Sequence, residues 1–103
     1  EIFDTAASSL LRPDASVRLV ADGFSFTEGP AYDVRSGWWY FSDIPESRMW
    51  RWHQDHGLKP FRSPSHNANG NCFSREGCLV TCEHETRRLS MTDLRAFEES
   101  PVE

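Results

Sequence analysis

What this sequence lacks narrows its class before any motif is read. No apolar run approaches the ~20 residues of a membrane-spanning helix, and no signal-peptide pattern opens the chain. No basic cluster interrupts an acidic composition. The 11 Lys and Arg stand against 16 Asp and Glu, a formal net charge of −5, so neither nucleic acid nor an anionic membrane is an expected partner. Cysteine is scarce and odd in number: Cys72, Cys78 and Cys82 are the only three. An odd count argues against a closed disulfide framework and suits a reducing, cytoplasmic compartment. With His84 they read C-x5-C-x3-C-x-H, which is not a usual zinc spacing, so buried reduced thiols in strands are the expectation. The chain opens on Glu1 rather than Met, as expected of a sequence trimmed at that end. Its 103 residues suffice for one small domain with a limited core.

What is present is a series of short, turn-bounded apolar runs. Residues 1–16 show no clean period and read as a lead-in. Val17-Arg18-Leu19-Val20 alternates and is a short strand candidate, closed by Asp22-Gly23. Glu28 to Asp33 forms the next strand, and Val34-Arg35-Ser36-Gly37 its hairpin loop. Trp38-Trp39-Tyr40-Phe41 is apolar on both faces, which predicts a strand covered on both sides and the stability centre of this unit. Arg48 to Trp52 and Leu58 to Phe61 supply two further strands, separated by His53-Gln54-Asp55-His56-Gly57.

The unit then recurs. Gly37, Asp43 and Arg48 find Gly77, Glu83 and Arg88 forty positions on, and Tyr40 finds Val80. Upstream of the hairpin the offset becomes 41, because the second loop is one residue shorter: Tyr32 meets Phe73, Asp33 meets Ser74, and Glu28 meets Asn69. A four-strand unit at a period near forty is the spacing of a β-propeller blade. The expected fold is therefore all-β, a partial propeller of about one and three-quarter blades of antiparallel strands over residues 1–91. Residues 92–103 are expected to form an irregular acidic tail.

One carboxylate stands in an unusual setting. Glu28 heads an aromatic-rich strand and is followed at once by Gly29 and Pro30, which leave room for close approach and remove a backbone donor. The plainer reading is a solvated Glu at a strand start. In a propeller the innermost strands line the channel, so equivalent positions on successive blades converge, and Glu28 with Asn69 is such a pair. Carboxylate and amide oxygens are hard ligands suited to Ca²⁺, Mg²⁺ or Mn²⁺, with Zn²⁺ tolerated. Taken alone, Asn69-Gly70 is an ordinary turn dipeptide, and His66, Asn67 and His84 read as surface turn or strand residues.

DGFSFTEGPAYD, GWWYFSDIPESRMWRW and NANGNCFSREGCLVTCEHETRRL together resemble the gluconolactonase and senescence-marker-protein (regucalcin) family of lactone hydrolases, over roughly residues 1–91. The resemblance implies a six-bladed β-propeller about three times this length, with one divalent cation in the central channel, Ca²⁺ first, Zn²⁺ or Mg²⁺ as alternatives. It implies that Glu28 is a metal ligand and that Asn69, with Asn67 near it, contacts a lactone or sugar-lactone substrate. The family's remaining Asn and Asp ligands would lie in later blades, beyond residue 103. The pattern departs at Ser74, where members commonly carry Asp, at Asn67, where some carry Arg, and at Glu85, which replaces a frequent Gly.

Three functions are weighed. The first is a fragment of a metal-dependent lactone hydrolase, inactive as an isolated chain. The second is a non-catalytic propeller serving as a binding module, a use the fold permits. The third is a free-standing small β domain. Glu28 discriminates the first two, because a platform does not require a channel carboxylate followed by Gly-Pro.

Overall fold

The computed structural model describes residues 4–95. After a short 3-10 turn at Thr5–Ser9, capped by the Asp4 side chain, seven strands follow in sequence. They are β1 (Thr27–Tyr32), β2 (Trp39–Asp43), β3 (Arg48–His53), β4 (Gly57–Arg62), β5 (Ala68–Phe73), β6 (Leu79–Glu83) and β7 (Arg88–Thr92). Each pairs with its neighbour in the chain, giving two antiparallel meanders, β1-β2-β3-β4 and β5-β6-β7. Loops of this length leave a strand no cheaper partner than the one before it.

The two sheets repeat each other in backbone as well as in sequence. The first hairpin of each closes on a left-handed glycine, Gly37 at φ 81° and Gly77 at φ 85°. The second closes on a left-handed residue that is not glycine, Ser47 at φ 48° and Arg87 at φ 55°. Such residues are uncommon, so their recurrence forty positions apart marks one turn design used twice. The ladders agree: Thr27 faces Asp43 as Ala68 faces Glu83, and Tyr32 faces Trp39 as Phe73 faces Leu79. Both first hairpins also carry a bulge near the head of the first strand, between Glu28 and Ala31 and between Ala68 and Asn71. The 41-residue offset that equates Glu28 with Asn69 is thus a register of the structure.

The core lies between the sheets. Tyr40, Met49, Ala31 and Trp38 from the first meet Ala68 and Leu79 from the second, and Leu94 closes the cluster. Tyr40 is fully buried and stands edge-on to Phe61 and Phe73, with ring centroids at 4.8 and 6.1 Å. Trp38 carries the Arg51 guanidinium over its ring at 4.1 Å. That arrangement lets a cationic side chain enter the interior against an electron-rich face.

Several expectations are corrected. The aromatic run of β2 is not covered on both sides: Tyr40 is buried, whereas Trp39 is 42% exposed on the outer face. Side chains alternate across a strand, and only the inner face meets the other sheet. Val17 to Val20 is not a strand; Val17 and Leu19 stand exposed, because alternation supplies propensity but not a partner ladder. Cys72 and Cys82 are exposed rather than buried, since the inward positions of β5 and β6 belong to their neighbours Asn71 and Thr81. Thr92 is part of β7 and Leu94 is fully buried, and the rest of the expected tail, residues 96–103, lies outside the described residues. Among the described residues, no helix is long and apolar enough to cross a membrane.

Candidate functional site at the heads of β1 and β5

The first strands of the two sheets lie side by side, and they touch at Gly29. A Cβ placed there would sit 2.1 Å from the Asn69 carbonyl oxygen and 2.8 Å from the Asn71 side-chain nitrogen. Gly29 is also left-handed, at φ 64°. Glycine is therefore required twice over, for its backbone and for the close approach. The Glu28-Gly29-Pro30 sequence thereby fixes the head of β1 against the head of β5.

Glu28 projects into an open groove of about 680 Å³ on the outer side of the first sheet. Pro30, Trp39, Phe41 and Trp52 form its floor, and Arg18 and Val20 of the lead-in form its wall. Among the described residues the Glu28 carboxylate has no hydrogen bond and no ion pair. The neighbouring carboxylates are all engaged. Asp43 accepts the backbone N–H groups of Ser25 at 3.1 Å and Phe26 at 2.9 Å, anchoring the chain as it enters β1. Glu46 accepts the Ser25 hydroxyl at 2.8 Å.

Glu83, the counterpart of Asp43, is buried and accepts from Thr86 Oγ1 at 2.6 Å, from Arg88 Nε at 2.8 Å and from Arg62 of β4. The Thr86 hydroxyl, more than any other group, holds its carboxyl far below the usual carboxylate range. Burial opposes that shift, and Arg62, Ser90 and Arg88 reinforce it. Glu83 is thus a charged clasp between the sheets, whereas the Glu28 carboxylate has no such partner among the described residues.

Asn69 is half-buried, and its Oδ1 accepts the Gly70 N–H at 2.7 Å. Asn67 is left-handed, at φ 53°, and its Nδ2 donates to the Ile44 carbonyl at 3.3 Å. Its own N–H donates to Ser47 Oγ, also at 3.3 Å. Asn67 therefore ties the loop before β5 to the turn between β2 and β3. The structure brings the backbones at Glu28 and Asn69 together, but the Glu28 side chain looks into the groove on the far side of its sheet.

Sequence reading missed the polar cluster behind these two residues. Asn71, Ser42 and Thr81 hydrogen-bond to one another across β2, β5 and β6. The available signal was a hydroxyl in the interior of each apolar strand, and an asparagine two residues beyond Asn69. Among the described residues, no three His, Cys, Asp or Glu side chains gather as a metal cage. Among the described residues, Glu28 offers a hard divalent cation one carboxylate, one part of a coordination shell.

The class of protein follows from these features. The chain is all-β, two antiparallel sheets repeating at forty residues, with a carboxylate and an amide at equivalent register on adjacent first strands. No family model matches the sequence, and no curated protein matches it. Solved structures do. One described as a candidate gluconolactonase superposes with a TM-score of 0.74 at 41% identity, over 79% of this chain and 28% of its own. A gluconolactonase from Xanthomonas campestris superposes at 0.69 with 27% identity, over 72% of this chain and 25% of its own. The structural neighbours of this chain are gluconolactonases, and it is consistent with a fragment of that family, spanning about a quarter of their length.

Proposed function

We propose that this chain is the first part of a β-propeller lactone hydrolase of the gluconolactonase type, acting with one divalent cation, Ca²⁺ foremost. The observation that carries the reading is the equivalence of Glu28 and Asn69 on packed first strands, in a chain 41% identical to a gluconolactonase-like structure. Glu28 is the metal ligand, because its carboxylate has no hydrogen-bond or ion-pair partner among the described residues. When bound, such a cation polarises the lactone carbonyl and makes a coordinated water more acidic. Asn69 orients the substrate through its side-chain amide. Asn67 acts beside it through its Oδ1, since its Nδ2 is held by Ile44. The described residues offer one ligand on two separate sheets rather than a closed channel, so the isolated chain is expected to be inactive.

The test is made on the full polypeptide carrying this sequence. Calorimetric Ca²⁺ titration and hydrolysis of a gluconolactone-type substrate are measured for the unmodified protein, Glu28→Gln and Asn69→Ala. Glu28→Gln keeps shape and one oxygen but removes the charge, and is expected to lose both cation binding and hydrolysis while remaining folded. Asn69→Ala is expected to lose turnover or substrate affinity with the cation still bound. Undiminished Ca²⁺ binding in Glu28→Gln refutes the site.

A further inference from the structure

We propose that Asn71 is the positioning residue of this site. Its side-chain amide fixes the distance between the strand head that carries Glu28 and the one that carries Asn69. This rests on the site reading above. Asn71 Nδ2 donates to the Gly29 carbonyl at 3.0 Å and to Ser42 Oγ at 2.9 Å, with the Asn69 carbonyl at 3.1 Å as a shared acceptor. Its Oδ1 accepts the Thr81 hydroxyl at 2.8 Å. Ser42 Oγ in turn donates to the Asn69 carbonyl at 2.9 Å.

The amide can face only one way. The Gly29 carbonyl accepts and cannot donate, so the nitrogen must point at it, which leaves the oxygen for Thr81. Every proton in the cluster then has an acceptor: Thr81 to Asn71, Asn71 to Gly29 and Ser42, Ser42 to Asn69. Ser42 and Thr81 are buried at 0% and 1% exposure and Asn71, which links them, is half-buried, so the two hydroxyls are shielded from water. A polar network whose donors and acceptors are all satisfied favours one geometry.

The placement is what makes it a positioning device. The carbonyls bound by the cluster belong to Gly29, the residue after Glu28, and to Asn69 itself. A bond to a main-chain carbonyl moves the backbone with it. With Gly29 packed against the Asn69 carbonyl, the cluster clamps the two strand heads where no side chain intervenes. Residues that orient ligand-bearing groups typically change affinity or activity by about 10–100-fold when lost.

The test uses Asn71→Asp, which keeps the shape and the Thr81 acceptor but places a carboxylate oxygen against the Gly29 carbonyl. Thr81→Val and Thr81→Ser form a milder pair, the first removing the hydroxyl and the second keeping it. Amide hydrogen exchange at residues 28, 29 and 69–71, Ca²⁺ affinity and lactone kinetics are read on the full polypeptide, per folded molecule. Faster exchange at both strand heads, with a Ca²⁺ affinity or kcat reduced roughly 10–100-fold in Asn71→Asp, partly in Thr81→Val and not in Thr81→Ser, supports the proposal. Unchanged exchange in Asn71→Asp overturns the clamp whatever the site does. Faster exchange with unchanged Ca²⁺ affinity and kcat overturns the positioning role, and the site stands if Glu28→Gln has lost its cation. If Glu28→Gln binds Ca²⁺ undiminished, the site reading fails and the positioning role is overturned with it.

Discussion

Gly29→Ala puts the contact between the two sheets under direct test. The new methyl meets two separate costs. The residue is left-handed, and a Cβ in that conformation costs about 1–2 kcal/mol. The Cβ would also lie 2.1 Å from the Asn69 carbonyl oxygen, far inside the 3.0 Å below which real Cβ contacts essentially never fall. The atom it strikes is backbone, so the strand heads must part rather than a side chain rotate. Overpacking of that kind costs about 1–3 kcal/mol, and the lost freedom of the unfolded chain returns only about 0.4–1 kcal/mol. The net expectation is a loss of about 1–5 kcal/mol, a large share of the stability of a small domain. Gly23 supplies the control. It is also left-handed, at φ 90°, but a Cβ there has nothing within 4 Å, so Gly23→Ala carries the conformational cost alone. Urea unfolding of both variants, at constant m, isolates the close approach as their difference. Equal destabilisation by Gly29→Ala and Gly23→Ala would refute the claim that β1 and β5 touch here.

Two further outcomes follow from burial and charge. Tyr40→Ala empties a fully buried, edge-on aromatic position and should cost about 3–5 kcal/mol. Trp39→Ala, at 42% exposure, should cost well under half as much, and equal losses by thermal unfolding would contradict the one-sided packing of β2. Glu83 has its folded pKa lowered, chiefly by Thr86, so its clasp stabilises fully above the ordinary carboxylate range. That stability is lost progressively as pH falls through this range toward the folded value. Stability measured from pH 7 downward should therefore drop less steeply in Glu83→Gln than in the unmodified protein, from a lower starting point. Parallel curves would remove Glu83 from that role.

The parts of this protein that depend on neighbours in the chain were legible in its sequence. Hairpins are local, so Gly37, Gly77 and the apolar runs between them were enough to place the ladders of β1 with β2 and of β5 with β6. The 40- and 41-residue offsets were legible for the same reason, and the pairings Thr27–Asp43 and Ala68–Glu83 carry them into the register. The isolated carboxylate at Glu28 was also visible, because Gly-Pro after it is a chain-local oddity. What covers each face was decided only by the tertiary structure. Nothing in the run Trp38 to Phe41 says that one sheet packs on Tyr40 while Trp39 meets solvent, since both faces of that strand are equally apolar. Asn71, Ser42 and Thr81 read as unremarkable polar residues until three strands bring them within hydrogen-bond distance. Cys72 and Cys82 changed sides for the same reason, being apolar enough to bury but placed on the outer face by alternation from Asn71 and Thr81. Side-chain alternation is a property of one strand, whereas the choice of inner face belongs to the pair of sheets, and that choice is made by packing.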